Sequence, residues 1–133
     1  MSRITKLAAV AAGAASLALP ASAADAALPK RGTFLNKSSS NGVRVETSRH
    51  TIRTISFYCA HTRWDLVQFV DLRRDGSFSF HGRMRQYGQQ GQPWRKRRAR
   101  FSGRFTSKRR VVIKRRLHGT CGTKTVRAKR TSG

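Results

Sequence analysis

Beyond residue 27, apolar and polar residues alternate with a period of two, and Gly, Ser and Asn cut the alternation into short pieces. Thr33 to Leu35 predicts a first strand and Lys37 to Gly42 (KSSSNG) a turn. Val43 and Val45 then share one face of a second strand, opposite Arg44 and Glu46. Residues 51–59 predict a third strand with Ile55, Phe57 and Cys59 on one side. Ile52 has the other parity, which predicts a bulge near Arg53. Leu66 to Leu72 (LVQFVDL) is apolar on both parities, as a strand covered on both faces would be. Arg73-Arg74-Asp75-Gly76 predicts a hairpin, because glycine takes positive φ without a Cβ clash.

Ser77 to His81 alternates with Phe78 and Phe80 inward. Residues 83–95 break the pattern. Within them Gln86 to Trp94 (QYGQQGQPW) combines two Gly, one Pro and four Gln, and predicts a long, mobile hairpin loop. A sixth strand is predicted from Arg97 to Thr106, with Phe101, Gly103 and Phe105 inward and Arg100 and Arg104 outward. Val111 to Leu117 and Cys121 to Ala128 complete the set, and Lys129 to Gly133 is expected to be a loose tail. The expectation is an all-β fold. About eight short strands form an antiparallel meander that closes as a small barrel or sandwich, since the helical crossovers that parallel pairing needs are not visible. Phe34, Phe57, Phe69, Phe78, Phe80, Phe101 and Phe105 are assigned to the core, where each buried ring is worth ~1.5–3 kcal/mol. Trp64 is expected to plug one barrel end. Trp94, between Pro93 and a basic run, is the aromatic most open to solvent, with a buried loop anchor as its favoured role.

The first residues read differently. Arg3 and Lys6 precede an uncharged apolar run, Leu7 to Leu19, which Pro20 breaks. Ala21-Ser22-Ala23 and Ala24-Asp25-Ala26 are small-x-small cleavage patterns. The run is short of the ~20 residues that span a bilayer. The expected organisation is a helical secretory signal peptide over 1–26, cleaved after Ala23 or Ala26, and a single basic β domain over 27–133. The mature form is expected to be extracellular, monomeric and without a membrane span.

Charge sharpens the picture. The chain carries 29 Lys and Arg against 5 Asp and Glu, a formal net charge of +24. Beyond the leader the acids are Glu46, Asp65, Asp71 and Asp75 alone. Such a surplus repels itself in a compact domain and attracts polyanions at long range. Cys59 and Cys121 are the two cysteines, and in an exported chain an even count predicts a disulfide.

Asp75-Gly76-Ser77-Phe78-Ser79, Phe101-Ser102-Gly103-Arg104-Phe105 and Cys121-Gly122-Thr123, set behind a signal peptide and a strand ending in Cys59, give the chain an outline. It resembles small secreted single-disulfide β proteins of high-GC actinobacteria. The resemblance covers nearly all of the mature chain. It implies a compact β fold and no activity, and the present chain departs from the group in its wealth of arginine.

Four basic runs, 95–100, 108–110, 114–116 and 127–130, all fall in the second half. If the last three strands are sequential hairpin partners, Arg98, Arg100, Arg104, Lys114, Arg116 and Arg127 merge into one outward face. Arg95, Arg97 and Trp94 stand beside it. Guanidinium groups contact phosphates bidentately, and Tyr87 and Trp94 are placed to stack on bases or sugars. The leading expectation is therefore non-catalytic adhesion to an anionic polymer, either wall polymer or nucleic acid. The competing reading is a solvated arginine surface without a partner. A small secreted hydrolase or nuclease is the alternative from another class, and would assemble Glu46, His81 or His118 with an arginine. His50 and His61 fall in turns, and the spacing of His61 and Asp65 is too common to weigh. A protein-binding or inhibitor module presenting 83–95 is the third. No cofactor or metal is expected: C-x-x-C and H-x-x-x-H patterns are missing, and Gly88 to Gly91 lacks the Lys-Ser/Thr and helix of a phosphate loop.

Overall fold

The computed structural model of the chain describes residues 28–29, 31–38, 40–88 and 93–132. The signal segment 1–26 and the middle of the predicted loop, 89–92, lie outside the described residues. Strands β1 (Gly32–Asn36), β2 (Val43–Thr47), β3 (Thr51–Cys59), β4 (Thr62–Leu66), β5 (Val70–Asp71), β6 (Ser77–Tyr87), β7 (Arg95–Ser107), β8 (Arg110–Leu117) and β9 (Gly122–Ser132) follow in chain order. All pairings are antiparallel. They run β1-β9-β8-β7-β6-β4-β3-β2, and β2 and β1 pair again to complete the ring. The fold is thus a closed eight-stranded barrel rather than a sandwich. The short β5 lies outside the ring, paired through Thr51↔Asp71 and Ile52↔Val70 to the start of β3.

The barrel closes because inward positions are apolar and fill it. Phe34, Phe57, Phe78, Phe101 and Phe105 are buried, with edge-on pairs Phe34–Phe105 at 5.0 Å and Phe57–Phe101 at 5.5 Å between ring centres. Gly103 faces the interior because a Cβ there would meet Phe78 Cζ and the Val112 carbonyl, each at 2.6 Å. The expected bulge is present: Glu46 pairs Thr54 and Thr47 pairs Ile52, which leaves Arg53 as the extra residue and returns Ile52 to the core. Gly76 takes φ 78° in the turn before β6, as the Asp-Gly pair predicts.

Four expectations need correcting. Leu66–Leu72 is not one strand. Its start belongs to β4, which opens at Thr62, and Val67 and Phe69 are exposed on the link to β5, so Phe69 leaves the core. β4 is reached through a two-residue turn at Ala60 and His61, both left-handed with φ 44° and 66°. Positive φ at both central residues is the type I′ arrangement, whose twist matches that of the flanking strands. The 83–95 loop is shorter than predicted, because β6 runs on to Tyr87 and β7 starts at Arg95. The tail is not loose: Lys129, Arg130 and Ser132 pair with β1 and close the ring.

Inside the barrel stands one charge that its neighbours do not cancel. Val111, Ile113, Arg115 and Leu117 of β8 all point inward, and Arg115 is only 1% exposed. Its Nη1 donates to the carbonyls of Cys121 and Gly122, at 3.3 and 3.4 Å, while its Nε has no partner. Burial pulls its pKa below the usual arginine value. The two carbonyls belong to the 3-10 turn Gly119–Cys121 and the first residue of β9, so the guanidinium ties down the turn that carries the disulfide.

Cys59 at the end of β3 is bonded to Cys121, with Cα atoms 5.9 Å apart. Two other strands separate β3 and β9 around the ring, so the bridge staples the barrel end crosswise. Trp64 is fully buried, and its indole N–H donates to Thr62 Oγ1 at 3.2 Å. The cysteines are 62 residues apart, and in the chain-entropy description closing such a loop contributes about 4 kcal/mol. The double change Cys59→Ser, Cys121→Ser is expected to lower the unfolding free energy by about that amount. Urea titration with and without reductant checks it, and an unchanged midpoint would contradict the role assigned to the bridge.

Candidate functional site

The outward parity of the last four strands is rich in Arg and Lys, interleaved with Ser and Thr, and holds no Asp or Glu. On β6 it holds Ser77, Ser79, His81, Arg83 and Arg85. On β7 it holds Lys96, Arg98, Arg100, Ser102 and Arg104, opposite them in register. Arg100 is next to Arg116 of β8, Ser102 to Lys114, and Arg104 to Val112. Arg116, Lys114 and Val112 in turn face Thr123, Thr125 and Arg127 of β9. The structure therefore brings together Arg98, Arg100, Arg104, Lys114, Arg116 and Arg127 on one surface, as their parity predicts. It separates Arg95 and Arg97 from them. These two have the opposite parity and line an opening of about 330 Å³ with Ala60, His61 and Pro93 at the barrel end.

Directly opposed residues of like charge destabilise a sheet. Arg83↔Arg98 and Arg100↔Arg116 are two such pairs, and Arg85↔Lys96 is a third, relieved on its other side by Asp65. No Asp or Glu follows Asp75, while 18 of the 29 Lys and Arg do. The other side of the ring is where acids are found. Arg44 donates to Glu46 at 2.8 Å on β2, and Arg63 donates to Asp65 at 3.1 Å on β4. The molecule is polar in the electrical sense: cations crowd the outer face of β6–β9, where Asp75 against Arg104 at one corner and Asp65 beside Arg85 at the β4 margin are the acids in register or in contact.

Two shallow hollows mark the basic face. One, of about 560 Å³, is lined by His81, Arg98, Arg100, Arg116 and His118. The other, of about 640 Å³, shares His81, Arg100 and Arg116 and adds Ser102 and Lys114. The His118 N–H donates to the Arg98 carbonyl at 3.2 Å, which holds the turn against β7. Of the residues proposed for a hydrolase, His81 and His118 thus share a hollow with arginines. Glu46 does not join them: it is on β2, which β3 and β4 separate from β6, and it pairs with Arg44. His50 is exposed in the turn before β3 and His61 in the turn before β4.

Trp94 is 46% exposed and not a buried anchor. The Arg85 guanidinium lies over its ring at 4.4 Å, and the Arg63 guanidinium lies over Tyr87, also at 4.4 Å. Tyr58 is the cross-strand neighbour of Arg63, and Tyr87 its neighbour on the other side. Beside this row is an open cleft of about 760 Å³, lined by Leu35, Lys37, Tyr58, His61, Arg63 and Tyr87 among others. Sequence reading missed His81, Arg83 and Arg85 as members of the face. The Ser77–His81 alternation, carried four residues further, would have found the two arginines. Nothing local marks Tyr58 and Arg63, because β4 itself was not recognised.

Among the described residues no group of three or more His, Cys, Asp or Glu is placed to hold a metal ion. Comparison with protein families, curated proteins and solved structures finds no significant match to this chain.

Asp75 limits the basic face at one corner. It accepts hydrogen bonds from the Ser77 hydroxyl at 2.5 Å and the Ser77 N–H at 2.9 Å, and Arg104 approaches at 3.3 Å. The Ser77 bonds, with Arg104 and Arg73 nearby, hold its carboxyl below the usual value. A carboxyl lowered in the fold stabilises it above the unfolded pKa of ~3.9, and that contribution is lost as pH falls through the folded value. Between about pH 5 and about pH 2, the melting temperature of Asp75→Asn is therefore expected to fall less than that of the parent chain. Parallel thermal melts check this, and identical slopes would refute it.

Proposed function

We propose that the protein is an exported, monomeric, non-catalytic β-barrel that binds anionic polymers through the outer face of β6–β9. One observation carries the reading. Arg83 faces Arg98 and Arg100 faces Arg116 on adjacent strands, and no acid is paired with any of these four. Each pair costs stability in the free protein, and phosphate or sulfate groups laid across the strands would remove that cost. The leader pattern at Arg3 to Ala26 supports export. The Cys59–Cys121 bridge is compatible with an extracellular location, and no helix among the described residues is long and apolar enough to cross a membrane.

Salt dependence tests the reading. A contact that neutralises six or more phosphates loses about 10³-fold in affinity between 50 and 200 mM salt. Binding to heparin, DNA or teichoic acid is expected to show that loss. In Arg100→Gln/Arg116→Gln the slope of log affinity against log salt should shrink by ~1.4–1.8. Undetectable binding at low salt, or a slope unmoved by the double change, overturns the proposal.

A second reading has the shared hollow of His81 and His118 in its favour. With RNA bound there, one imidazole would take the 2′-hydroxyl proton as that oxygen attacks phosphorus. The other, protonated, would give its proton to the departing 5′-oxygen, leaving a 2′,3′-cyclic phosphate. Incubation with RNA and with DNA separates the readings. Cleavage of RNA alone, lost in both His81→Ala and His118→Ala, would make the protein a nuclease. Intact RNA excludes it.

A further inference from the structure

We infer that the anionic partner is single-stranded nucleic acid, with unpaired bases stacking along Tyr58, Tyr87 and Trp94 while the arginines of β6–β9 take its phosphates. This rests on the polyanion reading and narrows it to one class of polymer. The three rings are spread along one end of the basic face. Tyr58, Arg63 and Tyr87 are consecutive cross-strand neighbours on β3, β4 and β6. Trp94 directly precedes Arg95, the partner of Gln86, and lies under the guanidinium of Arg85 on β6. Neighbouring strands are ~4.8 Å apart, so successive members of the row stand within reach of one extended chain.

Two features point to flat ligands rather than to charge alone. First, two of the rings are each covered by a guanidinium at 4.4 Å, Tyr87 by Arg63 and Trp94 by Arg85. A guanidinium stacked on a ring is itself a planar surface on which a base can lie. Second, the row opens onto the cleft of about 760 Å³, in which Tyr58 and Tyr87 stand beside Leu35. A polyol phosphate has no flat face to place there, and a duplex keeps its bases stacked inside. Single strands alone offer a basic groove both phosphates and free π-faces, the combination that stacking platforms use.

Trp94 provides the readout. The chain has two tryptophans, and Trp64 is fully buried, so a ligand stacking at the surface quenches Trp94. The full chain is titrated with oligo(dT), duplex DNA, heparin and teichoic acid at one salt concentration. Quenching of Trp94 by oligo(dT), and binding at least ~10-fold tighter than to the duplex, is expected. By anisotropy, Tyr87→Ala and Trp94→Ala should each weaken oligo(dT) binding about 5- to 100-fold. Tyr87→Phe and Trp94→Phe should restore it, and heparin binding should be unmoved in all four. Equal affinity for oligo(dT), duplex and heparin without quenching would overturn the inference and leave the polyanion reading standing. Preference for teichoic acid would overturn it in favour of wall polymer. No binding to any of the four would end both.

Discussion

The apolar interior must outweigh the mutual repulsion of arginines that stand side by side on the outside of the same strands. β7 and β8 show the conflict most plainly. Phe101 and Phe105 are buried on the inner parity of β7, while Arg98, Arg100 and Arg104 occupy the outer one. The inner ladder sets the register, and a slip by one residue would turn every arginine into the core. The outer ladder then has no freedom to relax, which is why Arg100 and Arg116 end directly opposite each other. The crosswise bridge at the barrel end adds its share of stability where the packing alone has to resist this strain.

Arg115 shows the limit of the rule. Its parity is that of Val111, Ile113 and Leu117, so the register takes it inside despite its charge. There it caps two carbonyls of the disulfide-bearing turn. The interior thus accepts one cation as the consequence of placing three apolar neighbours correctly.

Much of this was legible in the chain. The alternation at Phe78, Phe101 and Phe105 identifies the inner faces, the off-parity Ile52 locates the bulge at Arg53, and Asp75-Gly76 marks its turn. The outward set from Arg98 to Arg127 follows from parity alone. What stayed hidden has physical reasons. The Ala60-His61 turn carries neither Asn nor Gly, the residues that ordinarily announce left-handed backbone, so β4 went unseen and Tyr58 and Arg63 with it. Val67 and Phe69 are apolar but exposed, and apolar content without alternation cannot tell a doubly covered strand from a link. The last strand is polar where it meets β1, so its pairing depends on backbone hydrogen bonds that side-chain patterns do not record. Arg95 and Arg97 joined the binding set by proximity in sequence, although their parity already set them apart.

The pairing of β9 with β1 has a consequence of its own. A polyanion gathers many copies of a cationic protein along its length, and crowded sheets with free margins zip together into fibrils. Here the polar last strand seals the seam between the first and last parts of the chain, so the ring has no margin to offer. Copies lined up on a polymer would stay separate beads, and would come away again when salt loosens their hold.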